Sequence, residues 1–180
     1  TSLTGAVLSE GDTDPTLIIG GRVRALDTNA KLGDSEFLVA EADEFDRSFL
    51  RLIPTIAVIT NVEPDHMECY DSFDDLKNSF LSFANKVPFY GRVIVCLDNP
   101  VVQEILSGIE RSLTTYGFNK QADIQAESIE HKNGGIDFDI NYMKYRMGHI
   151  HLKIPGEHNV LNALAAIAVG LELDIPFEKI

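Results

Sequence analysis

A chain of 180 residues with 44% apolar and 24% charged content is long enough to bury a sizeable core, which excludes a disordered tail and a small disulfide-stapled scaffold. Fifteen basic against twenty-eight acidic residues leave a net charge of −13, and no local basic cluster offsets it, so nucleic acid and anionic membrane surfaces are poor partners. The apolar runs are strand-length or amphipathic, and the opening residues lack the charged-then-apolar order of a secretory signal, so a cytoplasmic protein is expected.

In chain order, "TSLTGAVL" predicts a helix whose beginning lies upstream. The runs "TLIIGG", "EFLVAEA", "IAVITN" and "RVIVCL" are apolar on both faces, the pattern of strands buried in a parallel sheet. Between and after them, "DDLKNSFLSFANKV" spaces Leu76, Phe80, Phe83 and Val87 at helical intervals, and "NPVVQEILSGI" carries Asn99 and Pro100 as helix start signals. Past "SLTTYGF" the pattern becomes strict alternation. Ile136, Phe138, Ile140 and Tyr142 share one face of a strand, with "HKNGGI" as the turn before it, and Ile150, Leu152 and Ile154 mark another strand after it. A last helix, "HNVLNALAAIAVGLEL", presents Val160, Leu164, Ile167 and Leu171 as its apolar stripe. The two cysteines, Cys69 and Cys96, have neither CxxC spacing nor a second pair, and are expected to be reduced structural thiols.

Two strand ends carry groups capable of chemistry. "FLVAEA" leads into Glu41, Asp43, Glu44 and Asp46, and "IAVITN" into Asn61, Glu63, Asp65 and His66. In open parallel sheets, ligands gather beyond the C-terminal strand ends. Bunched carboxylates raise one another's pKa unless a cation neutralises them, and Mg²⁺ takes carboxylates together with phosphate oxygens and water. The same acids would also suit helix caps or a solvated loop. At "PGEHNVLNALAA", His158, Asn159 and Asn162 stand in the first turns of a helix. The two amides, spaced i and i+3, face one way and suit a base edge, or else simply cap the helix.

The segments "EADEFDRSFL", "TNVEPDHMECY", "VPFYGRVIVCLDNP", "TYGF" and "PGEHNVLNALAAIAV", in this order, resemble the central domain of the Mur ligases through nearly the whole chain. Within that family they are most similar to the branch that adds L-alanine to UDP-N-acetylmuramate in bacterial peptidoglycan precursor synthesis. The resemblance implies an α/β fold like that of P-loop NTPases, with a mostly parallel central sheet flanked by helices and a smaller antiparallel β-meander. It also implies ATP and Mg²⁺ as cofactors. A substrate carboxylate would attack the γ-phosphate to give an acyl phosphate and ADP, and the amine of L-alanine would then displace phosphate.

Carried over by motif, Glu41 matches the glutamate that holds Mg²⁺ between the β- and γ-phosphates. His66 matches the histidine of a second metal, supported by Asn61 and Asp65. His158, Asn159 and Asn162 match the residues holding the base and ribose of ATP. Asp43 and Glu44 are placed near the site and no more. Sister enzymes carry a carbamylated lysine in the helix after "DH", where this chain has Phe80. None of the thirteen glycines is followed by lysine, so GxxxxGK[ST] is absent. The expectation is a central domain spanning 1–180, without its P-loop, the N-terminal uridine-nucleotide domain or the C-terminal domain, and inactive alone. Competing readings are the related ligase that reattaches a recycled tripeptide, a metal-dependent phosphohydrolase built on Glu41, Asp43 and His66, and a non-enzymatic nucleotide-binding or scaffolding module.

Overall fold

The computed structural model describes residues 1–23, 28–132 and 134–180, which divide into two compact units, residues 1–42 with 166–180 and residues 43–165. Asn133, in the expected "HKNGGI" turn, lies outside the described residues.

In the first unit, helix α1 (Ser2–Glu10) precedes strand β1 (Thr16–Val23), with β2 (Thr28–Lys31) and β3 (Leu38–Ala40) beside it. The order is β2-β1-β3, β1 running antiparallel to β2 and parallel to β3, with Leu17 opposite Val39 and Ile18 opposite Ala40. "TLIIGG" and "EFLVA" therefore pair in parallel as expected, but the expected burial on both faces is not met. Leu17 and Ile19 are buried, while Ile18 is 49% and Leu38 59% exposed. The reason is topological: a three-stranded sheet leaves β3 at an edge, and only one face of β1 is covered. Strand β2, short and polar, carries no apolar signal that the sequence reading could use.

The second unit is built on a six-stranded sheet of order β4-β5-β6-β7-β8-β9. The strands are β4 (Ile56–Ile59), β5 (Arg92–Cys96), β6 (Leu113–Gly117), β7 (Ile124–Lys132), β8 (Gly135–Tyr142) and β9 (Tyr145–Leu152). Strands β4 to β7 run parallel and β7 to β9 antiparallel, so the meander continues the parallel sheet through β7. Strand β5 lies between β4 and β6, and Val93, Ile94 and Val95 are all fully buried, as its two-faced apolar pattern requires.

Helices α2 (Phe73–Asn85) and α3 (Pro100–Ile105) follow β4 and β5. Ser72 caps α2 by accepting from the Asp75 N–H, and Asn99 caps α3 by accepting from the Val102 N–H, with Pro100 in the first turn. Leu76, Phe83 and Val87 are buried in a core with Phe49, Ala57, Ile59, Val93 and Val95, and Phe80 packs against its rim. The Phe80 ring lies 5.3 Å from that of Phe49, so this helix position is taken up by core packing.

Strand β8 follows its alternation: Ile136, Phe138 and Ile140 are fully buried, while Tyr142 emerges at the strand end. Helix α4 (Glu157–Glu172) begins in this unit, with Val160 and Leu164 fully buried, and ends in the first, where Ile167 is buried. No helix among the described residues is long and apolar enough to cross a membrane.

Candidate functional site

Beyond the C-terminal end of β4, the chain turns tightly before α2. Asp65 N–H donates to the Glu63 carbonyl at 2.8 Å, and His66 adopts a left-handed conformation (φ 55°, ψ 33°) that opens a 3₁₀ turn at Met67–Cys69. A second turn approaches from residues 43–47. Phe45 N–H donates to Asp43 Oδ1 at 2.9 Å and Ser48 N–H to Asp46 Oδ1 at 3.0 Å, the local side-chain bonds by which aspartates fold a turn. Asp46 and Arg47 both have positive φ (51° and 61°), so the backbone doubles back before the 3₁₀ segment that seats Phe49 in the core.

The two turns bring Asp43, Glu44 and His66 together. One ligand atom from each lies within 4.8 Å of the other two, and among the described residues this is the only such trio of His, Cys, Asp or Glu. Asp43 and His66 are exposed and Glu44 half-buried. The Phe45 ring packs edge-on against the imidazole at 5.3 Å, and His66 Nδ1 stands 3.9 Å from Glu68 Oε1. Two carboxylates and one imidazole, open to water and to further oxygen donors, form a donor set that fits a divalent cation.

The other residues singled out from sequence are placed as follows. Glu41, just past β3 in the first unit, accepts the Gly20 N–H on Oε2 at 3.1 Å. Asn61 accepts from Thr60 Oγ1 at 3.1 Å and donates to Glu63 Oε1 at 3.0 Å, so its amide braces the turn after β4. Asp65 is exposed on that turn.

At the start of α4, Gly156 has φ +101°, and a Cβ there would come within 2.5 Å of the His158 ring, so only glycine lets the imidazole fold back over the turn. Asn159 donates to the Pro155 carbonyl at 2.6 Å, and Asn162 Nδ2 reaches Asn159 Oδ1 at 3.5 Å. The two amides thus share one side of the helix. Asn159 acts as a donor reaching back to the preceding turn, not as the accepting cap.

Three features at these strand ends escaped the sequence reading. Tyr70 donates its hydroxyl to the Glu44 carbonyl at 2.6 Å. Burial, foremost, raises its pKa, and the Arg47 charge opposes the shift. Arg47 lies 4.6 Å over the Tyr70 ring and pairs with Asp75, whose carboxyl is held below the usual aspartate range by the Asp71 N–H and then by Arg47. Asp98, past the end of β5, accepts the N–H groups of Phe118 at 2.7 Å and Asn119 at 2.9 Å beyond the end of β6. A usable signal existed for Arg47, the lone base in an otherwise acidic hexapeptide's immediate wake; Asp98 gave none, because its partners are backbone groups twenty residues away.

The fold is that of a known class. Residues 13–170 match the model of the Mur ligase middle domain, and the chain belongs to the Mur ligase family. Over all 180 residues it is 49% identical to the UDP-N-acetylmuramate–L-alanine ligase of Geobacter sp. strain M21, and 50% identical over 181 aligned positions to the protein of the same name from Geobacter sulfurreducens. The chain spans 39% of the length of each. Among solved structures, the UDP-N-acetylmuramate–alanine ligase MurC of Thermotoga maritima superposes with a TM-score of 0.85 at 24% identity, covering 99% of this chain and 39% of that one. The MurF ligase of Thermotoga maritima in complex with ADP gives 0.74 at 14% identity, covering 99% of this chain and 44% of that one.

Proposed function

We propose that this chain is the middle-domain portion of an ATP-dependent ligase that joins L-alanine to UDP-N-acetylmuramate in the bacterial cytoplasm. The observation that carries the proposal is the meeting of Asp43, Glu44 and His66 beyond a parallel strand end. Near-50% identity to proteins named for that reaction favours it over the tripeptide-adding ligase.

In this reading Glu41 and His66 are the principal groups toward two Mg²⁺ ions, with Asp43 and Glu44 adding negative charge and Asn61 and Asp65 shaping the His66 turn. Mg²⁺ bound there would neutralise phosphate charge as the substrate carboxylate approaches. His158, Asn159 and Asn162 would orient the adenosine end, the paired amides supplying a donor and an acceptor to a base edge. Asn159 Nδ2 is engaged by Pro155, which fixes the plane in which its oxygen is offered. The phosphate cradle would come from outside these residues, because no glycine here precedes a lysine.

The test uses a full-length ligase containing this segment, assayed for phosphate release that requires UDP-N-acetylmuramate, L-alanine and ATP together. Glu41→Ala and His66→Ala should each lower kcat by about two orders of magnitude or more, roughly 3 kcal/mol of transition-state stabilisation. The 180-residue chain alone should show no turnover. Near-normal rates in His66→Ala would remove that residue from the site, and turnover dependent on another amine or acid would overturn the substrate assignment.

A further inference from the structure

All three guanidinium nitrogens of Arg47 are committed. Nη2 pairs closely with Asp75 Oδ2, Nη1 reaches Asp75 Oδ1 at 3.4 Å, and Nε donates to the Cys69 carbonyl at 3.0 Å. Its Cζ sits 4.6 Å over the Tyr70 ring, whose hydroxyl holds the Glu44 carbonyl at 2.6 Å. Cys69 N–H in turn donates to the His66 carbonyl at 2.9 Å. The contacts close a loop from the Glu44 backbone through Tyr70, Arg47 and Cys69 to the His66 backbone.

The backbone at Arg47 adopts φ 61° to make this possible, a region that a long side chain seldom occupies. Asp75 is itself fixed, taking the Asp71 N–H on Oδ2 at 3.1 Å while its own N–H is capped by Ser72. The fork therefore ends on a rigid helix start and not on a mobile surface acid.

We propose that Arg47 is a positioning residue: spanning Asp75, Cys69 and Tyr70, it holds the turn bearing Asp43 and Glu44 against the turn bearing His66, so that the three side chains are preorganised for a divalent cation. The inference rests on reading that trio as a cation site. Without Arg47, the Tyr70–Glu44 hydrogen bond and the Phe45–His66 ring contact remain, but the guanidinium bridge from the acidic turn to the Cys69 carbonyl and Asp75 is lost, and the two turns are held less firmly. The cation would then have to order the two turns itself, which lowers its affinity.

The experiment titrates Mn²⁺ alone into the full-length ligase, following free Mn²⁺ by electron paramagnetic resonance, beside thermal melting and the Mg²⁺ dependence of turnover. His66→Ala is the reference that identifies the binding component of interest. Arg47→Gly is the decisive variant, because glycine suits the positive φ and removes only the side chain. It should weaken Mn²⁺ binding about tenfold, the lower end of what loss of an outer-shell partner costs a metal site. It should also raise half-saturating Mg²⁺ more than it lowers kcat, with the melting temperature kept. Arg47→Lys should recover part of the affinity through the charge over Tyr70, and Asp75→Asn should weaken binding in the same direction should Arg47→Gly fold poorly. Wild-type Mn²⁺ affinity in Arg47→Gly or, failing its folding, in Asp75→Asn would overturn the positioning role. Wild-type affinity in His66→Ala would instead overturn the cation reading on which it stands.

Discussion

Asp98 links two parallel strand ends, and Asp98→Asn isolates how it does so. Its two oxygens each accept one backbone N–H, Phe118 at 2.7 Å and Asn119 at 2.9 Å. Gly117 between the strands has φ +155°, and a Cβ there would lie 2.6 Å from Asp98 Oδ2, so the carboxylate rests directly on the backbone. Asparagine is nearly isosteric but offers one acceptor, and its amide NH₂ would face an N–H. A hydrogen bond to a charged acceptor contributes about 1.5–3 kcal/mol, and a donor left facing a donor adds a desolvation cost. The expected destabilisation is about 3 kcal/mol, and in a chain of this size 1 kcal/mol moves Tm by about 2–4 °C, giving a fall of roughly 6–12 °C. Differential scanning calorimetry of Asp98→Asn beside Asp98→Ala measures it, and the two variants should fall together. An Asp98→Asn melting temperature within about 1 °C of the parent would show that one acceptor does the work assigned to two.

Phe49 is 3% exposed and packs on Phe80 and Phe83 with ring centroids 5.3 Å apart, so Phe49→Ala should cost about 3–5 kcal/mol in urea unfolding and loosen the acidic turn anchored by it. A loss below about 1 kcal/mol would contradict the packing. On the outer face of β8, Asp137 is held below its usual value of 3.8 by His151 foremost, and Asp139 likewise by His149. Depressed carboxyl pKa values stabilise above the unfolded value and lose that stabilisation as pH falls through the folded one. Melting temperature should therefore drop as pH falls below 3.8 in the parent, and less steeply in Asp137→Asn with Asp139→Asn; parallel pH profiles would exclude the pairs. Burial raises the Cys96 thiol pKa while Cys69 is only half-buried, so a thiol reagent should label Cys69 in the native chain and Cys96 only on unfolding.

What the sequence discloses depends on whether a feature is periodic or conformational. Strand β5 and helix α2 declare themselves through burial on two faces and on one stripe, and both form where expected. Strand β7 does not: a bulge between Glu127 and Glu130, with Ser128 at φ 54°, breaks the alternation after Ala126, and the remainder is charged. The same distinction governs the site. His66 and the acids were legible as residue types beyond strand ends. That Asp43 and Glu44 meet His66 depends on consecutive left-handed residues at Asp46 and Arg47, which hydrophobic spacing does not encode. Arg47 stands out in sequence as a base directly after six acid-rich residues, but Tyr70 looks like any core aromatic, and the contact between them appears only once the two turns meet in space.

The proposal that a divalent cation sits where Asp43 and Glu44 meet His66 is decided by imidazole proton resonances during substoichiometric Mn²⁺ addition to the chain. Of the five histidines, His66 should broaden first and alone, and Asp43→Asn with Glu44→Gln should abolish the selectivity. Equal broadening of all five, or earlier loss of His149 and His151 beside their aspartates, would contradict it.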